Sequence, residues 1–159
     1  MTSQIGILGL GVMKEWAEGG TYPVQVIYGS EGCGKTAWLR QSIELLRELG
    51  FEVVYVNPIN KEVYVEFNVV GLREEFMRLV KEALAQNALG KLVWLAFDIA
   101  KELIKATRGK IAVIVDDVFQ ILEVKETAIY VKALLDLVEY PPEHYEKIIT
   151  IAATRERGL

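Results

Sequence analysis

Eight consecutive residues make the plainest chemical statement in the sequence: Gly29, Ser30, Glu31, Gly32, Cys33, Gly34, Lys35 and Thr36 spell GxxxxGKT. Glycines at these positions let the backbone turn so that its N–H groups point inward, and the helix that begins at Thr36 adds the positive end of its dipole. The Lys35 ammonium neutralises the β and γ phosphates of a nucleoside triphosphate, and the Thr36 hydroxyl is placed for a magnesium ion. Ala37 completes the nucleotide-contacting run. A triphosphate site also needs a carboxylate for the metal and a group that orients the attacking water. Asp116 and Asp117, at the end of the apolar run 111–115, suit both tasks: Asp116 is assigned to magnesium and Asp117 to the water. The competing reading of Asp117 is a cap on the helix that follows. Arg155 follows a second apolar run, 148–153, and would face the same crevice if both runs are parallel strands. There it would read the γ phosphate; its alternative, and the preferred reading of Arg157, is a solvated arginine.

The elements that must position these groups follow from periodicity. Residues 23–28 are rich in β-branched and aromatic side chains and run straight into the glycine-rich turn, as a strand does. From 36 to 49 apolar residues recur at Leu39, Ile43, Leu46 and Leu49, and Gly50 supplies a C-terminal stop, so this is a helix. Residues 51–57 form a second strand ended by Pro58, and strand, helix and strand in that order imply a right-handed parallel crossover. Between 62 and 70 the alternation of Val63, Val65 and Phe67 fits either a short strand or a loop. Two helices are expected at 71–89 and 91–107, separated at Gly90, and a third at 128–138. The runs 111–115 and 148–153 are buried strands. An amphipathic helix is expected at 5–18. The whole reads as α/β with a mainly parallel sheet.

Bulk properties narrow the class. At 159 residues and 52% apolar content, one domain spanning 1–159 with one core is expected. The net charge of −4 and a pI near 5.2 give no global basic field for nucleic acid, although a local patch stays open. Cys33 is the single cysteine, and with no charged and apolar leader at the start the expectation is a cytoplasmic protein. Within the phosphate loop Cys33 reads as a small tolerated side chain rather than a reactive thiol. The apolar stretch 92–100 is too short for a membrane and reads as a buried helix. His144 has no ligand cluster around it, so no metal beyond magnesium is expected. Trp94 and Phe97 read as core, and the glycines at 6, 9 and 11 lack the spacing of a dinucleotide fingerprint.

These motifs together resemble the archaeal ATPase family of P-loop proteins, within the wider STAND and AAA+ group. The resemblance is carried by Trp16, Ala17, Glu18 and Gly19, by Val26 to Gly29, by Gly32 to Thr36, by Ile114, Val115, Asp116 and Asp117, and by Ile151 to Arg155. It implies a three-layer core whose strands lie in the order 5-1-4-3-2, followed by a helical lid. Here the sequence stops after the fourth strand, so the expected order is 1-4-3-2, without the fifth strand and lid. The chain is then either shortened or a degenerate minimal member. The resemblance implies that Thr154 and Arg155 occupy a sensor position touching the γ phosphate, and that ATP is preferred over GTP. Many relatives carry glutamate where Asp117 stands.

The resulting expectation is an ATP-binding, magnesium-dependent ATPase domain. Lys35, Asp117 and Arg155 carry the chemistry, residues 29–37 hold ATP or ADP, and Thr36 and Asp116 hold Mg2+. The alternative is a nucleotide-gated module that oligomerises or binds a partner with negligible hydrolysis, its open strand edge beside the first strand pairing with another chain. A small-molecule kinase is a third, weaker reading.

Overall fold

The computed structural model describes residues 24–29, 35–67, 69–106, 109–139 and 145–155. In chain order the elements are β1 (Val24–Gly29), α1 (Lys35–Glu48), β2 (Phe51–Asn57), β3 (Glu62–Glu66), α2 (Val70–Ala85), α3 (Leu89–Ala106), β4 (Gly109–Asp116), a 3-10 turn (Val118–Gln120), α4 (Val124–Glu139) and β5 (Tyr145–Arg155). They form one five-stranded sheet in the order β1-β5-β4-β2-β3. The four strands β1, β5, β4 and β2 run parallel, in the order expected from sequence. The departure is β3, which turns back antiparallel to β2 and adds an edge strand beyond it. Asn57 holds that turn, its Oδ1 accepting the Asn60 N–H at 3.0 Å. Within the ambiguous segment 62–70, Glu62–Glu66 is thus a hairpin strand and Val70 opens α2.

Alternation along the strands divides the core in two. Val54, Val56, Ile111, Val113 and Val115 point to one face, where they pack with buried residues of α2, α3 and α4. Phe51, Val53, Tyr55, Ala112 and Ile114 point to the other, against Trp38, Leu39, Ile43 and Leu46 of α1. Every residue from Ile111 to Val115 is fully buried, as a central parallel strand covered on both faces must be. At roughly 1.5–3 kcal/mol for each large aliphatic side chain removed from water, these layers supply the main driving force for the fold. The apolar stretch at 92–100 is a buried helix as expected, with Leu92, Val93, Leu95, Ala96, Ile99 and Ala100 all buried in α3. Trp94 and Phe97 are half-buried against the same core, edge to face at 5.8 Å.

Several boundaries differ from the sequence reading, each for a local reason. The break between the second and third helices is made by Asn87, not Gly90. Asn87 has φ of 53°, its N–H reaches Leu84 O at 3.1 Å, and Ala88 N–H reaches Ala83 O at 2.8 Å. This is the paired-bond C-terminal cap that a left-handed residue permits, and asparagine tolerates that conformation. Gly90 instead lies in the first turn of α3. Helix α4 begins a turn before 128, at Val124, because its first turn is held by charged helix formers and a Val124 that is 90% exposed, leaving no burial signal to read. Strand β5 likewise extends beyond 148–153 in both directions. Gly50 ends α1 as expected, at φ of 88°.

The segments 5–18 and 30–34, His144 and Arg157 lie outside the described residues. Among the described residues no helix is long and apolar enough to cross a membrane.

Candidate nucleotide site at the carboxyl ends of the strands

In a parallel sheet the strands deliver their C-terminal residues to one end, and ligands bind in the crevice there. The register fixes which residues meet. Gly29, at the end of β1, pairs with Arg155 at the end of β5, and Asp116, at the end of β4, pairs with Ala153 two residues earlier in β5. Val56 pairs with Val115, so the adjoining Asn57 comes level with Asp116. The backbones of Gly29, Arg155, Asp116 and Asn57 therefore line one edge of the sheet. Lys35 and Thr36 are the first two residues of α1, which starts at this same end, and Ala37 follows on its exposed side. Ser30, Glu31, Gly32, Cys33 and Gly34 fall outside the described residues.

At the centre of this edge two carboxylates are buried together: Asp116 is 0% and Asp117 2% exposed. Alternation puts Asp116 on the face of Ala112 and Ile114, the face covered by α1. Simple continuation of the strand would turn Asp117 to the opposite face. It does not, because the backbone leaves extended geometry at that residue: Asp117 has φ of 55° and ψ of 28° and starts the 3-10 turn. A non-glycine residue in this region is strained by roughly 1–2 kcal/mol. The Asn57 amide bridges the two acids, Nδ2 donating to Asp116 Oδ2 at 3.3 Å and to Asp117 Oδ2 at 3.2 Å. Asp117 does stand at the N-cap of the 3-10 turn, but its side chain makes no capping hydrogen bond there. Tyr55 Oη donates to Asp116 Oδ2 at 3.1 Å. Burial, and after it the Asp116 charge, push the Tyr55 phenol well above its ordinary range, so it stays a donor.

Tyr55 and Asn57 were not singled out in the sequence. Both read there only as members of the second strand, 51–57, ended by Pro58. Their importance comes from the β2–β4 register, which lies beyond any local pattern.

A family described as an ATPase domain predominantly from Archaea matches residues 8–158. The chain belongs to this family. Membership in the archaeal ATPase family makes it a nucleotide-binding domain of the ATPase type, consistent with the α/β sheet and the strand order. Among solved structures it is similar to AMPPCP-bound DnaA from Aquifex aeolicus, at 19% identity and a TM-score of 0.49, over 94% of this chain and 40% of that one. It is also similar to a replication initiator DnaA bound to AMPPCP and single-stranded DNA, at 22% identity and a TM-score of 0.45, again over 94% and 40%. The chain thus spans about two fifths of the length of these two proteins. No curated protein sequence matches it.

Proposed function

We propose that the chain binds ATP with magnesium and hydrolyses it to ADP and phosphate. The observation that carries this reading is the buried pair Asp116 and Asp117, held on Asn57 at the sheet end where β1 leads into residues 29–36. Two buried carboxylates side by side present the oxygen donors that a divalent cation takes. Carboxylate and hydroxyl oxygens from Asp116 and Thr36 form the hard donor set that suits magnesium. When bound, the cation neutralises charge on the phosphates and orients them. The backbone N–H groups of residues 29–37 and the Lys35 ammonium hold the triphosphate, and Asp117 accepts a hydrogen bond from the attacking water. As the water oxygen bonds to the γ phosphorus, the bond to the bridging oxygen of ADP breaks, and Arg155 compensates charge on the γ phosphate. Catalysis is then positioning and charge neutralisation, with no covalent intermediate on the protein. Cytoplasmic location belongs to the same reading.

A second reading is a nucleotide-gated module that oligomerises or binds a partner. It is favoured by β1, which among the described residues pairs with β5 alone and so forms an edge of the sheet.

Calorimetric titration of ATP, ADP and GTP with and without magnesium, paired with phosphate release on the same sample, tests both. Magnesium-tightened ATP binding with release supports hydrolysis; binding without release favours the gated module. Lys35→Ala is expected to abolish binding, and unchanged affinity in that variant refutes the phosphate assignment.

A further inference from the structure

We propose that Tyr55 is a positioning residue for the divalent cation, its hydroxyl fixing the orientation of the Asp116 carboxylate. The inference rests on the reading of Asp116 as the magnesium carboxylate.

Three observations lead to it. Tyr55 is 5% exposed and packs in the core between the sheet and α1, a position where phenylalanine would fill the same space. A hydroxyl carried into such a core destabilises unless it finds a partner, so its presence calls for one. The Tyr55 hydroxyl donates to Asp116 Oδ2 at 3.1 Å.

The register explains how it gets there. Tyr55 pairs with Ile114, two residues before Asp116 on the same face of β4. Two residues along a strand is about 6.6 Å, a gap that a phenol lying along the sheet spans and a serine or threonine hydroxyl does not.

Finally, Tyr55 and Asn57 both donate to the same oxygen, Oδ2. Two donors on one oxygen restrict rotation of the carboxylate about its last bond. Partners of this kind orient metal-binding carboxylates and tune their affinity. A second buried tyrosine makes the contrast: Tyr130 donates to a backbone carbonyl, Val93 O, at 3.1 Å, which ties α4 to α3 rather than reaching the acids.

The test uses the intact chain, Tyr55→Phe, Asp116→Asn and the double variant. ATP affinity is measured by calorimetry across a magnesium series and in EDTA, with a thermal melt of each protein. Tyr55→Phe is expected to raise the magnesium concentration for half-maximal tightening roughly tenfold, while affinity in EDTA stays within about twofold of the parent. In the Asp116→Asn background Tyr55→Phe is expected to have no further effect on the magnesium midpoint. An unchanged midpoint in Tyr55→Phe overturns the proposal. So does an equal loss with and without magnesium, or a variant that does not fold, since either makes the hydroxyl a requirement of the fold. The underlying reading fails separately, and takes the proposal with it, if the parent chain binds ATP without magnesium dependence or if Asp116→Asn leaves the midpoint where it was.

Discussion

Replacing Asn57 with alanine removes the amide that holds the two buried acids at one distance from each other. Three hydrogen bonds are lost: to Asp116 at 3.3 Å, to Asp117 at 3.2 Å, and from the Asn60 N–H at 3.0 Å. Bonds to charged acceptors contribute about 1.5–3 kcal/mol each and neutral ones about 1 kcal/mol. The two carboxylate bonds are long beside the roughly 2.7–2.9 Å of strong charge-assisted ones, which places them at the low end. A water admitted to the space left by the amide recovers part of the loss. The net expectation is about 2–4 kcal/mol out of a total stability of roughly 5–15 kcal/mol for a domain of this kind. With an m-value near 2 kcal/mol/M, the urea midpoint falls by about 1–2 M. Circular dichroism through a urea titration, without nucleotide, measures it. Asn57→Asp is the sharper companion, since it keeps the shape but exchanges the donor for a third carboxyl. Its loss exceeds that of alanine at neutral pH, because a third carboxyl then faces the two buried acids. An alanine variant within about 0.5 kcal/mol of the parent refutes the bridging role, as does an aspartate variant no worse than alanine at neutral pH.

Two further outcomes follow from single residues. Gly50 has φ of 88°, and a methyl group built on it meets nothing within 4 Å, so Gly50→Ala incurs backbone strain alone. The expected loss is about 1 kcal/mol by urea titration, and an alanine variant as stable as the parent contradicts the assignment. Tyr55 and Tyr130 are both raised above their usual range chiefly by burial. An unfolded tyrosine ionises near pH 10, so the unfolded chain loses protons there while the folded chain keeps them. Stability is therefore intact below about pH 10 and falls as pH rises beyond it. Tyr130→Phe is expected to flatten that decline, and an identical alkaline profile in the variant counts against the buried phenol as its cause.

What the sequence made legible was whatever rests on a short window. The run 111–115 buried on both faces and the apolar stripe of α1 each declare themselves within a few residues. The hairpin strand β3 did not, because only Val65 of its five residues is buried and a half-buried edge strand has little pattern to show. The Asn87 cap was hidden behind the nearby Gly90, whose composition is the commoner stop signal. The largest omission was at the candidate site. Tyr55 and Asn57 reach Asp116 across 61 and 59 residues of chain, and that meeting is set by the pairing of Val56 with Val115 rather than by either residue's neighbours.

The place of each strand in the sheet also divides the site by local stability. β2 and β4 are flanked on both sides, β2 by β3 and β4, and β4 by β2 and β5, whereas among the described residues β1 is bonded only to β5. Amide hydrogens on the doubly bonded strands exchange with solvent near the limit set by global unfolding, while an edge strand opens in smaller fluctuations. The acids and the side chains that hold them thus stand on the slow-exchanging part of the sheet, and Gly29, the first residue of the GxxxxGKT run, ends its faster edge strand. Hydrogen exchange resolved along β1 would register nucleotide as a local rise in protection, against a background in β4 that barely moves.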